Sequence, residues 1–405
     1  MRRICFYLES YYVGGLDTFT IDLLNNWPDH NDELVLICNA SHTAVDLYKK
    51  RFKNPNISLV LHNLPMVPVY QIKFIEHFGA GLIYKIFSVL LQYSLFIYYV
   101  LFSYRILNLT KYDKLMVING GYPAGPSCRA ISIAWGINSN RKSIHNFHNY
   151  AVSPKKIVRK LENLIDHFVC KYTSCFVSVS KSCAESIRNR PAISSFDNIK
   201  YIYNGINNHV LLAKTSIISE FGLNLDTKIC IMLATYEKRK GHKFLFDAFK
   251  MVSIIDPNSV LICCGYGIKS ELNQMNQLVI DLGLENRIFI LGFREDAMEL
   301  LAQSDILLIA SQEFESFGLT AVEAMKYKKP IVSTNVGGLS EVIENDKGGY
   351  LFDINDVNGY ANKVIDLLNN PQLRIEQGEL GYNRYMMNFQ VERVANEYYQ
   401  LIVAK

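Results

Sequence analysis

Nine cysteines occur in the 405 residues, but none forms a Cys-x-x-Cys pair and their spacing makes no regular framework. An odd, unspaced set predicts free thiols in a reducing compartment rather than a disulfide scaffold. The chain also lacks any Asp-x-Asp triplet and any His/Cys/carboxylate cluster at zinc spacing, so no metal site is written locally into the sequence. Charged residues are sparse, 20% against 49% hydrophobic, and no low-complexity linker or short-period repeat occurs. That excludes a disordered or fibrous chain and predicts packed cores. The opening MRRICFYLES has two arginines but no apolar core of signal-peptide length before Tyr11–Gly15, so a cytosolic location is expected. No nucleic-acid-binding motif accompanies the basic residues, and nucleic acid is not an expected partner.

What is present divides the chain in two. Residues 1–200 hold 23 Lys+Arg against 13 Asp+Glu, a net +10; residues 201–405 hold 19 against 25, a net −6. At roughly 100–200 residues per domain, the length suits two or three domains. Short apolar runs read as buried strands: Arg3–Leu8, Glu33–Cys38, Leu115–Asn119, Ile144–Phe147 and Cys175–Ser180, then Lys228–Leu233, Val260–Cys264, Ile288–Leu291, Ile306–Ala310 and Ile331–Thr334. Helix-length patterns separate them, among them Asp17–Asn26, Pro154–Lys171, Lys243–Ile255, Lys269–Leu282 and Leu319–Lys326. Such alternation predicts an α/β protein of two doubly wound, Rossmann-like domains with parallel sheets. The Asn-Gly turn in YNGINN places the boundary near Tyr203–Asn208. The expected division is 1–203, 204–387, and an amphipathic helix over 388–405 that packs back on the first domain.

One segment breaks the pattern. Ile86–Tyr104 has no charged residue over 19 positions, the lower length for a membrane-spanning helix. Gln92, three serines and many aromatics count against a span. A buried helix and a helix lying on the membrane surface both fit, the latter favoured by Lys73, Lys85, Arg105, Lys111 and Lys114 around it.

The chemistry concentrates in ESFGLTAVE, Glu315–Glu323. Gly318 marks a loop turning into a helix, whose first unpaired N–H groups suit phosphate oxygens. Glu323, about a turn further on, can accept hydrogen bonds from vicinal hydroxyls such as those of a ribose. Gly14 and Gly15 follow the first strand and let backbone approach a diphosphate or sugar closely. His145 and His148 lie in SIHNFHNYA at a strand's end, where ligands of parallel sheets collect.

The run S-x-x-x-E-S-F-G-L-T-x-x-E-A-M, followed by P-I-V-S-T-x-V-G-G-L-x-E-V-I, resembles the donor-binding domain of retaining GT-B glycosyltransferases, specifically glycosyltransferase family 4, the glycosyl transferases group 1. NGI at Asn204–Ile206, RKGH at Arg239–His242, CGYG at Cys264–Gly267, LGLENRIFILGFRED at Leu282–Asp296 and the Gly14–Gly15 pair resemble that family's hinge, phosphate-contact segment, glycine turn, base-binding loop and N-terminal motif, in order.

The resemblance implies a GT-B fold with two domains facing a cleft that holds the active site. It implies a retaining, metal-independent, hexosyltransferase-type enzyme that moves a sugar from a nucleoside-diphosphate sugar to a hydroxyl, with no other cofactor. Glu323 would bind the ribose and Glu315 the transferred sugar. Amides of Phe317, Gly318 and Leu319 would face the diphosphate, Lys240 and Arg239 would neutralise it, and backbone around Leu291–Arg294, including Gly292 and Phe293, would read the base. Gly14 and Gly15 would approach the donor, and His148 would stand near the sugar and acceptor. Thr235 replaces the family's usual arginine five residues before this lysine. The expected acceptor is a saccharide or lipid-linked saccharide, in surface polysaccharide or glycolipid assembly, with the enzyme peripheral at the inner face of an anionic membrane. A non-catalytic sugar-nucleotide-binding protein, or another GT-B enzyme such as a sugar-nucleotide epimerase, is the alternative.

Overall fold

The computed structural model of the chain describes residues 1–79, 81–208 and 216–403. The stretches 209–215 and 404–405 of the expected domains lie outside the described residues. The chain forms two compact units, one of Met1–Gly205 with Val391–Lys405 and one of Ile206–Gln390.

The first unit is built on β1 (Arg3–Glu9), β2 (Glu33–Asn39), β3 (Ile57–His62), β4 (Lys114–Asn119), β5 (Ser143–Phe147), β6 (Thr173–Ser178) and β7 (Ile199–Tyr201). They pair in the order β3-β2-β1-β4-β5-β6-β7, every neighbour parallel. The central strands are near-continuous Val, Ile, Leu, Cys and Phe because helices cover both faces. The C-terminal helix Val391–Val403 belongs to this unit. Its Val394, Ala395, Tyr398 and Ile402 are buried in the core formed with Phe6, Phe19 and Val177, and Asn146 Nδ2 donates to Tyr398 Oη at 3.0 Å.

The second unit carries β8 (Lys228–Leu233), β9 (Ser259–Cys264), β10 (Ile288–Leu291), β11 (Ile306–Ile309), β12 (Ile331–Thr334), β13 (Glu344–Asn345) and β14 (Gly348–Phe352). Their order is β10-β9-β8-β11-β12-β14-β13, again all parallel. The strand order switches direction between β1 and β4 in the first unit and between β8 and β11 in the second, where β14 also inserts between β12 and the edge strand β13. Crevices at such switch points, at the carboxyl ends of the strands, are where open parallel sheets bind ligands. All nine cysteines are unpaired.

Candidate active site

In the second unit the loops after β8 and β11 are fastened together. Gly241 ends the Lys238–Lys240 turn at φ +74°, and a Cβ there would stand 1.9 Å from the Ala310 carbonyl oxygen. Only glycine permits this approach. The Gln312 N–H then donates to the Arg239 carbonyl at 2.7 Å. This seam sets Lys240 Nζ 2.5 Å from Glu315 Oε2, with both side chains mostly buried, and Ser311 Oγ donates to the same oxygen at 3.1 Å. Arg239 turns elsewhere: its Nε donates to Glu237 Oε2 at 2.6 Å and its guanidinium lies over the Phe314 ring. Thr235 Oγ1 donates to the other oxygen of Glu237 at 2.9 Å. Burial opposes ionisation of Glu237, but the Arg239 and Thr235 hydrogen bonds and nearby cations hold its pKa below the usual range. Glu237 thus orients Arg239, a role that its place in YEKRKG did not signal.

Gly318 caps the helix Leu319–Lys326 at φ +97°. The Gly338 N–H donates to the Glu315 carbonyl at 2.7 Å, so the glycine pair after β12 pins the loop that carries Glu315. Phe317 is buried, edge-on to Phe389. Glu323 lies on the same helix, and among the described residues its carboxyl has no hydrogen-bond or ion-pair partner; burial lifts its pKa to about 7, with Lys326 opposing. Gly292 and the exposed Phe293 follow β10, and Tyr236 Oη ties the ends of β9 and β10 by donating to the Cys263 and Leu291 carbonyls. Lys240, Glu315, Gly318 and Glu323 therefore gather around the switch point, whereas Gly292 and Phe293 sit two strands outward.

In the first unit, Gly14 caps the helix Gly15–Asn25 in extended conformation, and its N–H donates to Asp17 Oδ2 at 2.7 Å. Buried Asp17 also accepts from Tyr48 Oη and pairs with His42 Nε2 at 2.7 Å. Among the described residues, chain neighbours aside, nothing lies within 4 Å of a Cβ built on Gly14 or Gly15. His148 follows β5; its buried Nε2 has no hydrogen-bond partner among the described residues, its ring meets Phe19 edge-on, and burial lowers its pKa to about 3. It is a neutral imidazole. His145 is a core residue among Tyr122 and Phe176, its pKa also lowered to about 3 by burial. At the β1/β4 switch point a cavity of about 280 Å³ is lined by Glu9, Ser10, Tyr11, Gln71, Gln92 and Pro126. Ser127 donates to Glu9 from its N–H (2.8 Å) and its hydroxyl. Burial nonetheless raises the Glu9 pKa. No sequence motif marks Glu9; its place at the end of β1 was the only available signal. Among the described residues, no group of three or more His, Cys, Asp or Glu could hold a metal ion.

Two parallel, doubly wound units, the second with the Lys240–Glu315 pair and a glycine-capped helix at its switch point, form a GT-B fold. Residues 213–384 match the family model of glycosyl transferases group 1. N-acetyl-alpha-D-glucosaminyl L-malate synthase of Bacillus anthracis is 33% identical over 204 residues, 50% of this chain and 52% of that protein. The chain spans about half the length of the curated relatives it matches first. Anabaena HepE, solved in complex with UDP, superposes with a TM-score of 0.75 at 19% identity, covering 98% of this chain and 99% of that one. A glycosyltransferase of Rickettsia africae superposes with a TM-score of 0.76 at 18% identity, covering 99% and 97%. At these identities the likeness to the solved structures is one of fold.

Proposed function

We propose that the protein is a retaining, metal-independent glycosyltransferase that passes a sugar from a nucleoside-diphosphate sugar to a hydroxyl, in surface polysaccharide or glycolipid assembly. The observation that carries this reading is the Lys240–Glu315 pair at the second unit's switch point, beside a glycine-capped helix whose Glu323 has no hydrogen-bond or ion-pair partner among the described residues. Glu323 accepts hydrogen bonds from the ribose hydroxyls. The amides of Phe317, Gly318 and Leu319 face the diphosphate, and Lys240, backed by Arg239, neutralises the charge that grows on it as the glycosidic bond breaks. Glu315, held by Lys240 and Ser311, takes the sugar hydroxyls. The anomeric carbon loses its bond to the diphosphate and gains one to the acceptor oxygen, and the departing diphosphate takes the acceptor proton on the same face. Gly14 and Gly15 leave room for a close approach of the donor, Gly292 and Phe293 border the base, and His148 receives a hydrogen bond as a neutral imidazole.

The first unit offers the acceptor side. The Glu9 cavity joins a carboxyl, two amides and a hydroxyl to apolar walls, the composition that suits a sugar ring, and its volume lies near the small end of ligand pockets, roughly 300–1,000 Å³. The acceptor is a saccharide carried on a lipid, and the enzyme works peripherally at the inner, anionic face of a membrane. The UDP in the HepE complex supports uridine diphosphate as the first nucleotide to test. A thermal-shift panel of UDP-, GDP-, ADP- and CMP-sugars should show stabilisation by one nucleotide class, because a ligand that binds only the native state raises the melting temperature. That donor should then be turned over by the wild-type chain. Stabilisation without turnover in the presence of a saccharide acceptor panel would leave a sugar-nucleotide-binding protein instead.

A further inference from the structure

The helix Arg159–Tyr172 in the first unit buries Ile165 and Val169 but also turns both its acids inward and three large apolar side chains outward. Its acids Glu162 and Asp166 are buried, while Leu161, Leu164 and Phe168 are 43, 55 and 40% exposed. A helix on a water-facing surface shows the opposite arrangement. The cause is a buried ionic network. Arg129 Nη1 lies 2.8 Å from Glu162 Oε2 and 3.3 Å from Asp166 Oδ1, and Arg190 pairs with both acids. Tyr93 and Tyr122 hydroxyls donate to Glu162 and Asp166 at 2.7 and 2.8 Å. Breaking such a network would strand buried charge, so it fixes the rotation of the helix and holds the apolar stripe outward.

The neighbouring helix Leu82–Leu107 does the same with a different sequence. It is long and apolar enough to cross a membrane, and 17% of its most apolar window is buried. Tyr99, Phe96 and Ser103 face the protein, with Phe96 under the Arg129 guanidinium, and Ile97 and Leu101 are exposed. These two helices and the helix Pro126–Ser139 line a groove of about 400 Å³ whose walls include Ile97, Leu101, Ile137, Leu161, Leu164 and Phe168. The same elements expose cations: Lys155, Lys156, Arg159 and Lys160 at and just before the start of Arg159–Tyr172, Lys171 at its end, and Lys85 and Arg105 on the long helix. Neither helix exposes an acid.

We infer that this face docks in the plane of an anionic lipid bilayer, with acyl chains in the groove and headgroup phosphates on the Lys155–Lys160 cluster. A carbon-walled groove on helices that expose cations and no acid matches the two layers of such a surface. The long helix does not span, because one side of it is bound along the protein by Tyr93, Phe96 and Tyr99. The inference deepens the membrane-peripheral part of the proposed function; its test reads lipid binding alone, independent of sugar transfer.

The test is flotation of the full chain with phosphatidylglycerol vesicles and with phosphatidylcholine vesicles, at low and high salt, with UDP binding measured on every variant. Wild type should float with phosphatidylglycerol and be released by high salt. Ile97→Glu with Leu164→Glu, at two exposed groove positions, and separately Lys155→Glu with Lys160→Glu, should each lower the floated fraction by roughly tenfold or more. Both should keep wild-type UDP affinity. Ile375→Glu, exposed in the second unit, should float as wild type. Groove variants that float as wild type, or a wild-type chain that ignores both vesicles, overturn the inference while UDP binding keeps the donor reading. A chain that resists both salt and alkaline carbonate spans the bilayer, which also overturns it. So does a wild-type dimer in sedimentation that the groove variant dissociates without any lipid binding, since the face would then join two copies.

Discussion

Among the described residues the Glu323 carboxyl has no hydrogen-bond or ion-pair partner, and burial disfavours its charge, with its pKa at about 7 instead of 4.5. As pH rises from about 4.5 the unfolded chain ionises first, so this residue costs stability progressively until pH passes 7, on the order of 3 kcal/mol at full effect. Glu323→Gln should therefore melt higher than wild type at pH 8 and with it at pH 4; equal melting curves at pH 8 would place the carboxyl in water. Glu323→Ala should weaken nucleotide binding by about 1.5–3 kcal/mol, measured by calorimetry, through loss of charge-assisted bonds to the ribose. Lys240 and Arg239 are not equivalent despite their adjacency. Lys240→Ala should cut turnover by roughly a hundredfold with a smaller effect on donor affinity, because leaving-group charge peaks in the transition state. Arg239→Ala should cost less, since Glu237 and Phe314 already hold its guanidinium. Equal losses would show that Arg239 serves as the arginine missing at Thr235. His148→Ala should lower transfer with UDP still bound, and the wild-type pH–rate profile should show no inflection from this residue near 6.5, because burial keeps it neutral.

At the scale of elements, glycine determines where the loops of the second unit can meet. Gly241→Ala would force a Cβ into the Ala310 carbonyl at a left-handed φ and should destabilise the second unit by about 2 kcal/mol or more, read as a fall in melting temperature. The central strands were legible because burial on both faces leaves unbroken apolar runs such as ICFYL and VLICC. β3 was not, because ISLVLH lies at the sheet edge with alternate residues exposed, and β14 was hidden behind two glycines. Leu82–Leu107 stayed ambiguous for a physical reason: a helix apolar on every side carries no period that says which side is covered. Arg159–Tyr172 had a period, but its phase against the core depends on Arg129 and Arg190, remote in sequence. The proposed donor residues were readable because ESFGLTAVE is a local pattern. Glu9 acts through Ser127, a partner that only the fold supplies, whereas Glu237 meets Thr235 and Arg239 two residues away, a contact that a charge run does not announce.

For the whole molecule, the two units are unequal in continuity. The second is one stretch of chain, Ile206–Gln390, whereas the first closes only when Val391–Lys405 returns to it. Val394, Ala395, Tyr398 and Ile402 are buried in the first unit's core, and Arg2 pairs with Asp32 and stacks on Tyr399. Three large apolar side chains at about 1.5–3 kcal/mol each amount to several kcal/mol, a large share of the 5–15 kcal/mol that typically holds a domain folded. Truncation after Gln390 should therefore lower or abolish one melting transition and leave a second. The surviving transition should be the one that UDP raises, because every donor residue from Arg239 to Glu323 lies in the continuous unit. Transfer should be lost. Differential scanning calorimetry of the truncated chain with and without UDP distinguishes the cases. If the UDP-responsive transition disappears with the tail, the donor site depends on the first unit as well.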